Sequence, residues 1–240
     1  MTVYFGVDVE EDCPPYLNTW RGITEGLPRL LEMLADEDVR ATLFTTGEVA
    51  RRYPDVIRAA VADGHELGCH SNRHGDYRVM TRTEADADIG AASAALREFA
   101  PVVSFRAPYL QFPSDLVDLL APHGYTVDSS EGRHKRLGLT VRCEAGVLRV
   151  PASVTSLTLR WPALIRNLLF TQVNDPIVLF CHPWEYVDLR RERLRWDCRV
   201  RTGYQALAST RTAIRFFKSR GASFALMRDA PGAYAIGPQV

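Results

Sequence analysis

Thr2-Val3-Tyr4-Phe5-Gly6-Val7-Asp8-Val9-Glu10 is an apolar, β-rich run that ends in acidic residues. A loop that contains prolines follows it, and the next stretch carries Leu30, Leu31 and Leu34 at helical spacing. The run therefore predicts a strand that leads through a loop into a helix. It places Asp8 and Glu10 at the carboxyl end of this strand.

The same alternation continues along the chain. We predict further strands over residues 39–46, 65–70, 102–105 and 125–127 and helices over residues 47–62, 81–100 and 113–124. The helix predicted over residues 81–100 begins with a capping box, in which Thr81 and Glu84 satisfy free amides reciprocally, and it stops at Pro101. Alternating strands and helices imply an α/β fold with a parallel sheet. Residues 131–159 are poorer in helical periodicity and are predicted to form an irregular or antiparallel excursion.

Composition limits the classes of protein. The chain has 240 residues, 46% of them hydrophobic, so it can bury a sizeable core, and we expect one domain over residues 1–240. Lysine plus arginine equals aspartate plus glutamate at 29 each, which argues against a nucleic-acid partner. No apolar run approaches the roughly 20 residues of a membrane-spanning helix. The five cysteines include no CxxC pair, and the start shows no signal sequence, so we expect a cytoplasmic protein that is soluble or at most peripheral at the membrane.

Two histidines suggest a metal site. His70 and His74 lie four residues apart directly after a predicted strand, and together with one carboxylate from Asp8-Val9-Glu10-Glu11-Asp12 they would form a three-ligand face with open positions for water and substrate. The alternatives are a hydrogen-bonded loop and a solvated acidic cluster. Three further polar segments also follow apolar runs, namely Arg106-Ala107-Pro108-Tyr109, Asp128-Ser129-Ser130 and the segment that ends in His182. Polar clusters at several strand ends indicate that they line one shared site at the same edge of the sheet.

These segments, in this order, resemble the motifs of the polysaccharide deacetylase family, the NodB-homology carbohydrate esterases, over about residues 3–184. The first motif departs from the common Thr-Phe-Asp-Asp-Gly form. Asp8-Val9-Glu10 resembles the acid-x-acid variant of branches that include peptidoglycan-deacetylase-like enzymes and deformylases of lipid-linked formamido-arabinose, and residues 20–31 are similar to those deformylases. The resemblance implies a distorted barrel of parallel strands with helices outside, which the pattern alone does not separate from an open sheet.

The resemblance also implies roles for the acids and the metal ligands. Asp8 is the general base that activates water, and Glu10 ligates the metal with the two histidines. Glu11 or Asp12 replaces Glu10 if the strand ends early or bulges. The expected metal is a divalent ion, zinc first and cobalt, nickel, manganese or iron as alternatives.

The remaining motifs supply an acid and its supporting groups. His182 is expected to protonate the leaving amine, with Asp128 as the carboxylate that tunes it; the alternative for Asp128 is a turn residue. Arg106 is expected to cross the mouth toward Asp8 and keep it oriented and ionised. The backbone amide of Tyr109 is expected to help hold the oxyanion. Trp184 and Tyr186 line the sugar subsite or simply pack.

Together these assignments predict a metal-dependent hydrolase that removes an acyl group, acetyl or else formyl, from the nitrogen of an amino sugar or sugar conjugate. One alternative is the family branch that acts on cyclic ureides without metal, and another is a carbohydrate-binding pseudoenzyme. Residues 157–170 interleave large apolar residues with two arginines, which is the composition of an interfacial amphipathic helix or of a core helix. If the helix is interfacial, the substrate is lipid-linked and the protein contacts the cytoplasmic membrane face through this segment.

Overall fold

The computed structural model describes residues 1–136 and 138–234. Its strands are β1 Thr2–Val9, β2 Thr42–Thr45, β3 Glu66–Cys69, β4 Ser104–Phe105, β5 Val127–Asp128, β6 Arg142–Glu144, β7 Val147–Arg149, β8 Ile177–Cys181 and β9 Ser223–Ala225. Its helices are α1 Leu27–Asp36, α2 Gly47–Arg52, α3 Pro54–Ala62, α4 Arg82–Arg97, α5 Ser156–Leu159, α6 Ala163–Phe170, α7 Trp196–Arg199, α8 Tyr204–Ser219 and α9 Ala230–Ala233.

The strands form one sheet in the order β6-β7-β5-β4-β3-β2-β1-β8, with β9 also paired to β1. Every pairing is parallel except that between β6 and β7, which is antiparallel. The sheet curls into a distorted half-barrel with helices around it. The predicted α/β class and parallel barrel are therefore confirmed, and so is the antiparallel excursion within residues 131–159.

Strand β1 shows how the sequence sets the two faces of the sheet. Val3, Phe5, Val7 and Val9 pack into the large core between the strands and the helices, whereas Tyr4 belongs to a second apolar cluster inside the curl. Successive side chains of a strand point to opposite faces. Asp8 and Glu10 therefore share the inner face with Tyr4 and emerge at the carboxyl end of the barrel.

Prolines divide two of the predicted helices. The helix predicted over residues 47–62 is two helices, α2 and α3, because Pro54 has no amide hydrogen to continue α2 and itself begins α3. The segment 157–170 is likewise interrupted before Pro162 and contains α5 and α6. The helix predicted over residues 113–124 is shorter, a 3-10 turn over Ser114–Leu119. The capping box at Thr81 and Glu84 is present at the start of α4.

Helix α6 is not a core helix. Its apolar side chains Leu164, Ile165, Leu168 and Leu169 are 87%, 52%, 67% and 39% exposed, whereas Arg166 is fully buried. Hydrogen bonding compensates this burial, since the guanidinium donates to the carbonyl oxygen of Ser209 in α8 at 2.6 Å. The core interpretation of residues 157–170 is therefore wrong for α6. Within the described residues, no helix is long and apolar enough to cross a membrane.

Candidate active site

The carboxyl ends of the parallel strands open into a cavity of about 400 Å³. Six of the predicted site residues line it: Asp8, Glu10, His70, His74, Tyr109 and His182. They arrive from β1, from the loop after β3, from the turn after β4 and from the end of β8. Parallel strands place their carboxyl ends at the same edge, which is why polar residues far apart in sequence meet here.

Glu10 and the two histidines form a compact cluster. One carboxylate oxygen of Glu10 lies 3.2 Å from His70 Nε2 and 2.7 Å from His74 Nε2. One ligand atom from each of the three residues lies within 4.8 Å of the others. His70 Nδ1 donates to the backbone carbonyl of Arg106 at 2.7 Å, which fixes the ring and directs Nε2 toward Glu10.

The donor set of this cluster fits a divalent cation. Two imidazoles and a carboxylate are ligands that zinc and its first-row neighbours accept. Burial by itself raises the pKa of Glu10, but the charges of His74 and His182 and hydrogen bonds from the imidazoles hold that pKa well below its usual value. Burial lowers the pKa of His74, and Glu10 outweighs this effect so that the net shift is upward. Glu10 is thus favoured as the ionised carboxylate, the form in which it binds a cation.

The neighbouring acids have other surroundings. Asp12 accepts hydrogen bonds from the Thr19 hydroxyl at 2.7 Å and from the backbone amides of Arg21 and Gly22 at 2.8 and 2.7 Å. It therefore fixes the loop that follows β1. Glu11 is partly exposed, whereas the Glu10 carboxylate meets both imidazoles. Of the three acids considered, the structure brings Glu10 to the histidines.

Arg106 lies inside the barrel beneath the cavity. Its guanidinium is fully buried and donates to Asp8 Oδ1 at 2.7 Å. The ring of Phe44 lies against it, 4.1 Å from the guanidinium carbon to the ring centroid. Gly6 leaves room for this arrangement, since a Cβ there would come within 2.5 Å of the guanidinium. The structure thus places Arg106 against Asp8, in the arrangement that the sequence predicts.

His182 faces the acids across the cavity. Its Nε2 lies 3.9 Å from Asp8 Oδ2 and 3.8 Å from Glu10 Oε1. Its ring stacks on Trp184 with centroids 4.8 Å apart and planes at 17°. Burial lowers the pKa of His182, but the surrounding carboxylates, Glu10 first and then Glu185 and Asp8, raise it to about 9. These carboxylates therefore favour the protonated imidazole.

The predicted contact between His182 and Asp128 is wrong. His182 Nδ1 meets the carboxylate of Glu185 at 2.8 Å. Asp128 instead pairs with Arg149 Nε at 2.6 Å and accepts a hydrogen bond from Ser130. The cause is the pairing of strands, because β5 and β7 run side by side with Asp128 opposite Arg149.

Glu185, which the sequence analysis did not select, is the carboxylate in contact with His182. It is buried in the turn that follows β8, three residues after His182, and its second oxygen pairs with Arg160 Nε at 2.7 Å. Two charged partners hold this carboxylate in place, so it orients the imidazole rather than moving with it. The spacing could have revealed it, since a carboxylate three residues along a turn reaches back to the first side chain.

Tyr109 combines an unusual backbone with two contacts at the cavity wall. Its φ is 61°, in the left-handed region that non-glycine residues seldom occupy, and His74 also has a positive φ of 55°. Such conformations concentrate at functional sites, where the surrounding structure imposes them. The Tyr109 ring packs edge-on against His74 with centroids 4.8 Å apart, and Lys135 donates to its carbonyl oxygen. Trp184 lines the cavity and Tyr186 is buried in the core.

Part of the chain is similar in sequence to known proteins. A family model described as polysaccharide deacetylase matches residues 11–127. A chitooligosaccharide deacetylase of Sinorhizobium fredii is 34% identical over 100 residues, which are 40% of this chain and 46% of that protein. The chain thus spans about half the length of that curated relative.

Solved structures share the fold. A Mycobacterium smegmatis protein assigned to the polysaccharide deacetylases superposes with a TM-score of 0.75 at 20% identity, over 100% of this chain and 92% of that one. A Bacillus anthracis protein described as a pseudoenzyme of carbohydrate esterase family 4 superposes with a TM-score of 0.65 at 16% identity, over 95% of this chain and 64% of that one. At these identities the likeness establishes the fold alone.

Proposed function

Because residues 11–127 belong to the polysaccharide deacetylase family, we propose that the chain is a metal-dependent hydrolase that removes an acyl group from the nitrogen of an amino sugar. The observation that carries the proposal is the cluster of Glu10, His70 and His74, whose ligand atoms lie within 4.8 Å of one another. The ion pair between Asp8 and Arg106 lies beside it. An acid, a base and a cation site in one cavity are the parts that amide hydrolysis needs.

Glu10, His70 and His74 would hold the metal, with zinc as the first candidate. A bound divalent cation supplies Lewis acidity to the acyl carbonyl and makes water easier to deprotonate. Asp8 takes the proton of the attacking water, and Arg106 keeps Oδ1 occupied so that Oδ2 remains directed to the cavity. The Tyr109 amide donates to the oxyanion as the carbonyl becomes tetrahedral.

His182 completes the reaction as the acid. Glu185 holds Nδ1, so the proton that leaves the ring is the one on Nε2, which faces Asp8 and Glu10. The amine nitrogen needs this proton because a neutral amine leaves far more readily than its anion. The neighbouring carboxylates raise the pKa of the imidazole, which favours the protonated form that an acid needs.

The proposed acyl group is acetyl, with formyl as the second candidate. Support for acetyl comes from the Sinorhizobium relative, which is a chitooligosaccharide deacetylase. Support for formyl comes from the acid-x-acid first motif of Asp8 and Glu10. Two other activities are less well supported. Cyclic-ureide hydrolysis without metal does not require the intact pair His70 and His74, and a pseudoenzyme does not require the full set of acid, base and ligands.

The decisive experiment separates metal binding from turnover. Wild-type protein is purified without chelator, its metal content is measured by mass spectrometry, and acetate or formate release is followed with N-acetyl and N-formyl amino sugars. We expect His74→Ala to lose both metal and turnover, because two remaining ligands compete poorly with water. Asp8→Asn should keep the metal and lose turnover, because an amide accepts no proton. Stoichiometric metal in His74→Ala would disprove the metal site, and activity after complete metal removal would favour the metal-free alternative.

We further propose that the protein approaches its substrate at an anionic membrane surface, in the cytoplasm, and that the acceptor sugar is lipid-linked. The apolar face of α6, formed by Leu164, Ile165, Leu168 and Leu169, begins a few residues after the cavity-lining segment of α5. Exposed arginines lie on the adjoining segment, which is joined to Arg160 by hydrogen bonds. They are Arg191, Arg193, Arg195 and Arg199. Exposed aliphatic residues beside cations match an anionic lipid surface.

Vesicle binding tests this location. Wild-type protein should sediment with vesicles that contain phosphatidylglycerol, and less with phosphatidylcholine alone. Leu164→Ser with Leu168→Ser should reduce sedimentation at least about tenfold, since each buried aliphatic side chain contributes about 1.5 to 3 kcal/mol. Val79→Ser is the matched control because Val79 is 81% exposed elsewhere on the surface. Equal sedimentation of the double variant and wild type would remove the membrane proposal, and concentration-dependent dimerisation abolished by the double variant would assign α6 to a second copy.

A further inference from the structure

Two cysteines meet at the rim of the candidate active site. Cys13 lies in the loop after β1 and Cys198 lies in α7, and both line the cavity of Asp8 and Glu10. Cys198 packs against the apolar cluster that contains Cys13 and Trp184. The two cysteines therefore lie at the same rim of the cavity and share one small apolar cluster.

Both cysteine-bearing segments are anchored, so their placement at the rim does not depend on two free loops. On one side the buried carboxylate of Asp12 holds the loop through the amides of Arg21 and Gly22. On the other side Arg160 donates to the carbonyl oxygens of Asp197 and Val200 at 2.7 and 2.6 Å. Each anchor lies within two residues of its cysteine.

The two thiols differ in the way that thiol-disulfide exchange requires. Cys13 is 3% exposed, whereas Cys198 is partly exposed. The interaction between the two thiols lowers the pKa of Cys198 and raises that of Cys13, whose pKa burial also raises. An accessible thiol with a depressed pKa attacks a disulfide, and a buried neighbour then resolves the mixed disulfide.

We propose that Cys13 and Cys198 are a redox modification site that closes into a reversible disulfide across the rim of the cavity. With oxidised glutathione as the oxidant, the Cys198 thiolate attacks one sulfur of the glutathione disulfide and releases one glutathione. Cys13 then loses its proton, attacks the Cys198 sulfur and releases the second glutathione. The protein loses two hydrogens and the glutathione disulfide gains them.

The bond would restrain the mouth of the cavity. The loop of Cys13 also carries Pro14, Pro15 and Tyr16, which line one wall, while Arg195 and Asp197 line the wall beside Cys198. Joining the two walls covalently limits how far they can separate to admit a long substrate. This consequence rests on the proposed hydrolase function, whereas formation of the disulfide does not.

Thiol mapping tests the disulfide without any activity assay. The experiment uses a Cys143→Ser background, because Cys143 is exposed and would itself take up glutathione. Cys69 and Cys181 are buried. After equilibration with oxidised and reduced glutathione, peptide mass spectrometry should find Cys13 joined to Cys198 with no glutathione retained. Adding Cys13→Ser should trap one glutathione on Cys198, and adding Cys198→Ser should leave Cys13 unmodified. Glutathione retained on Cys198 while Cys13 is intact, or two free thiols under oxidising conditions, would overturn the proposal.

Turnover of the same samples tests the consequence. The oxidised protein should hydrolyse an N-acetyl chitooligosaccharide with a several-fold lower kcat/KM at unchanged metal content, and a dithiol reductant should restore it. Equal kcat/KM in the oxidised and reduced forms would refute the restraint of the mouth. A reduced protein without any turnover, beside a mapped disulfide, would instead refute the hydrolase function and leave the disulfide established.

Discussion

Glu185 and Asp128 are both buried carboxylates, and each pairs with a buried arginine, Arg160 at 2.7 Å for Glu185 and Arg149 at 2.6 Å for Asp128. They differ in what the remaining oxygen meets. Glu185 meets His182 Nδ1, whereas Asp128 meets the hydroxyl of Ser130. One ion pair therefore extends into the candidate active site, and the other ends within the packing beneath it.

Similar surroundings shift the pKa values of these two carboxyls in opposite directions. Burial raises the pKa of both carboxyls, and the arginine opposes burial in both. For Glu185 the arginine and the histidine prevail, so its pKa is lowered, whereas the pKa of Asp128 stays raised. The positive charge of His182 further lowers the pKa of Glu185, whereas the negative charge of Glu131 further raises that of Asp128. In the proposed mechanism Glu185 therefore orients the acid, whereas Asp128 links neighbouring strands through Arg149.

The largest expected effect is that of replacing His182, which contacts Glu185 and not Asp128. His182→Ala should lower kcat by about 10² to 10⁴, the usual contribution of a general acid, at unchanged metal content. His123→Ala is the matched control, since His123 pairs with Asp86 on the surface. Acyl release and metal content are measured on both variants. Near-normal turnover of His182→Ala would show that another group protonates the amine.

The next effect compares the two carboxylates directly. Glu185→Gln should lower kcat about tenfold and move the alkaline limb of the rate-versus-pH profile to lower pH. The sign follows from the charge, because Glu185 helps to raise the pKa of His182 to about 9 and its loss lets the imidazole deprotonate earlier as pH rises. Asp128→Asn should leave the limb where it is in wild type.

Full pH profiles of the two variants decide between the assignments. A shifted limb in Asp128→Asn with an unshifted one in Glu185→Gln would reverse the comparison and reinstate Asp128 as the tuning group. Glu185→Asp is an informative companion, since it keeps the charge and shortens the reach. It should retain part of the limb position while losing rate through poorer orientation.

Asp128, whose replacement should leave the pH profile unchanged, should matter for stability. Asp128→Asn should lower the free energy of unfolding by about 3 kcal/mol, because it leaves the buried Arg149 with less compensation. Glu144, 3.1 Å from Arg149, remains as a partner of the guanidinium and limits the loss of stability. Asp118→Asn removes an exposed partner of Arg82 and should change stability by no more than about 0.5 kcal/mol. Urea unfolding of both variants checks the difference, and equal values would refute the structural role of Asp128.

The smallest expected effect is that of Ser130→Ala. The Ser130 hydroxyl donates to Asp128 and accepts from the Ala107 amide at 2.7 Å. Its loss should cost about 1 to 2 kcal/mol of stability with no change in the pH profile. A shift of the alkaline limb in this variant would connect the Asp128 region to His182 after all.

Much of the site is predictable from local pattern. Asp8 and Glu10 lie two residues apart on a strand and must share a face, and His70 and His74 follow a neighbouring strand. Arg106 follows the next strand, so its approach to Asp8 is also a consequence of strand order. The partner of His182 is different, since the family resemblance pointed to a strand-end aspartate while the carboxylate in contact lies in the same turn as the histidine.

By itself, the sequence determined the alternation of strands and helices, the inner face of β1 and the edge where the polar strand ends meet. These follow from periodicity and from the common direction of parallel strands. Only the tertiary structure decided that Arg149 pairs with Asp128, that the apolar face of α6 is exposed, and that Cys13 and Cys198 line the same cavity. The physical reason is that periodicity shows which face of an element is apolar or polar. Which distant element covers that face depends on how the whole sheet curls.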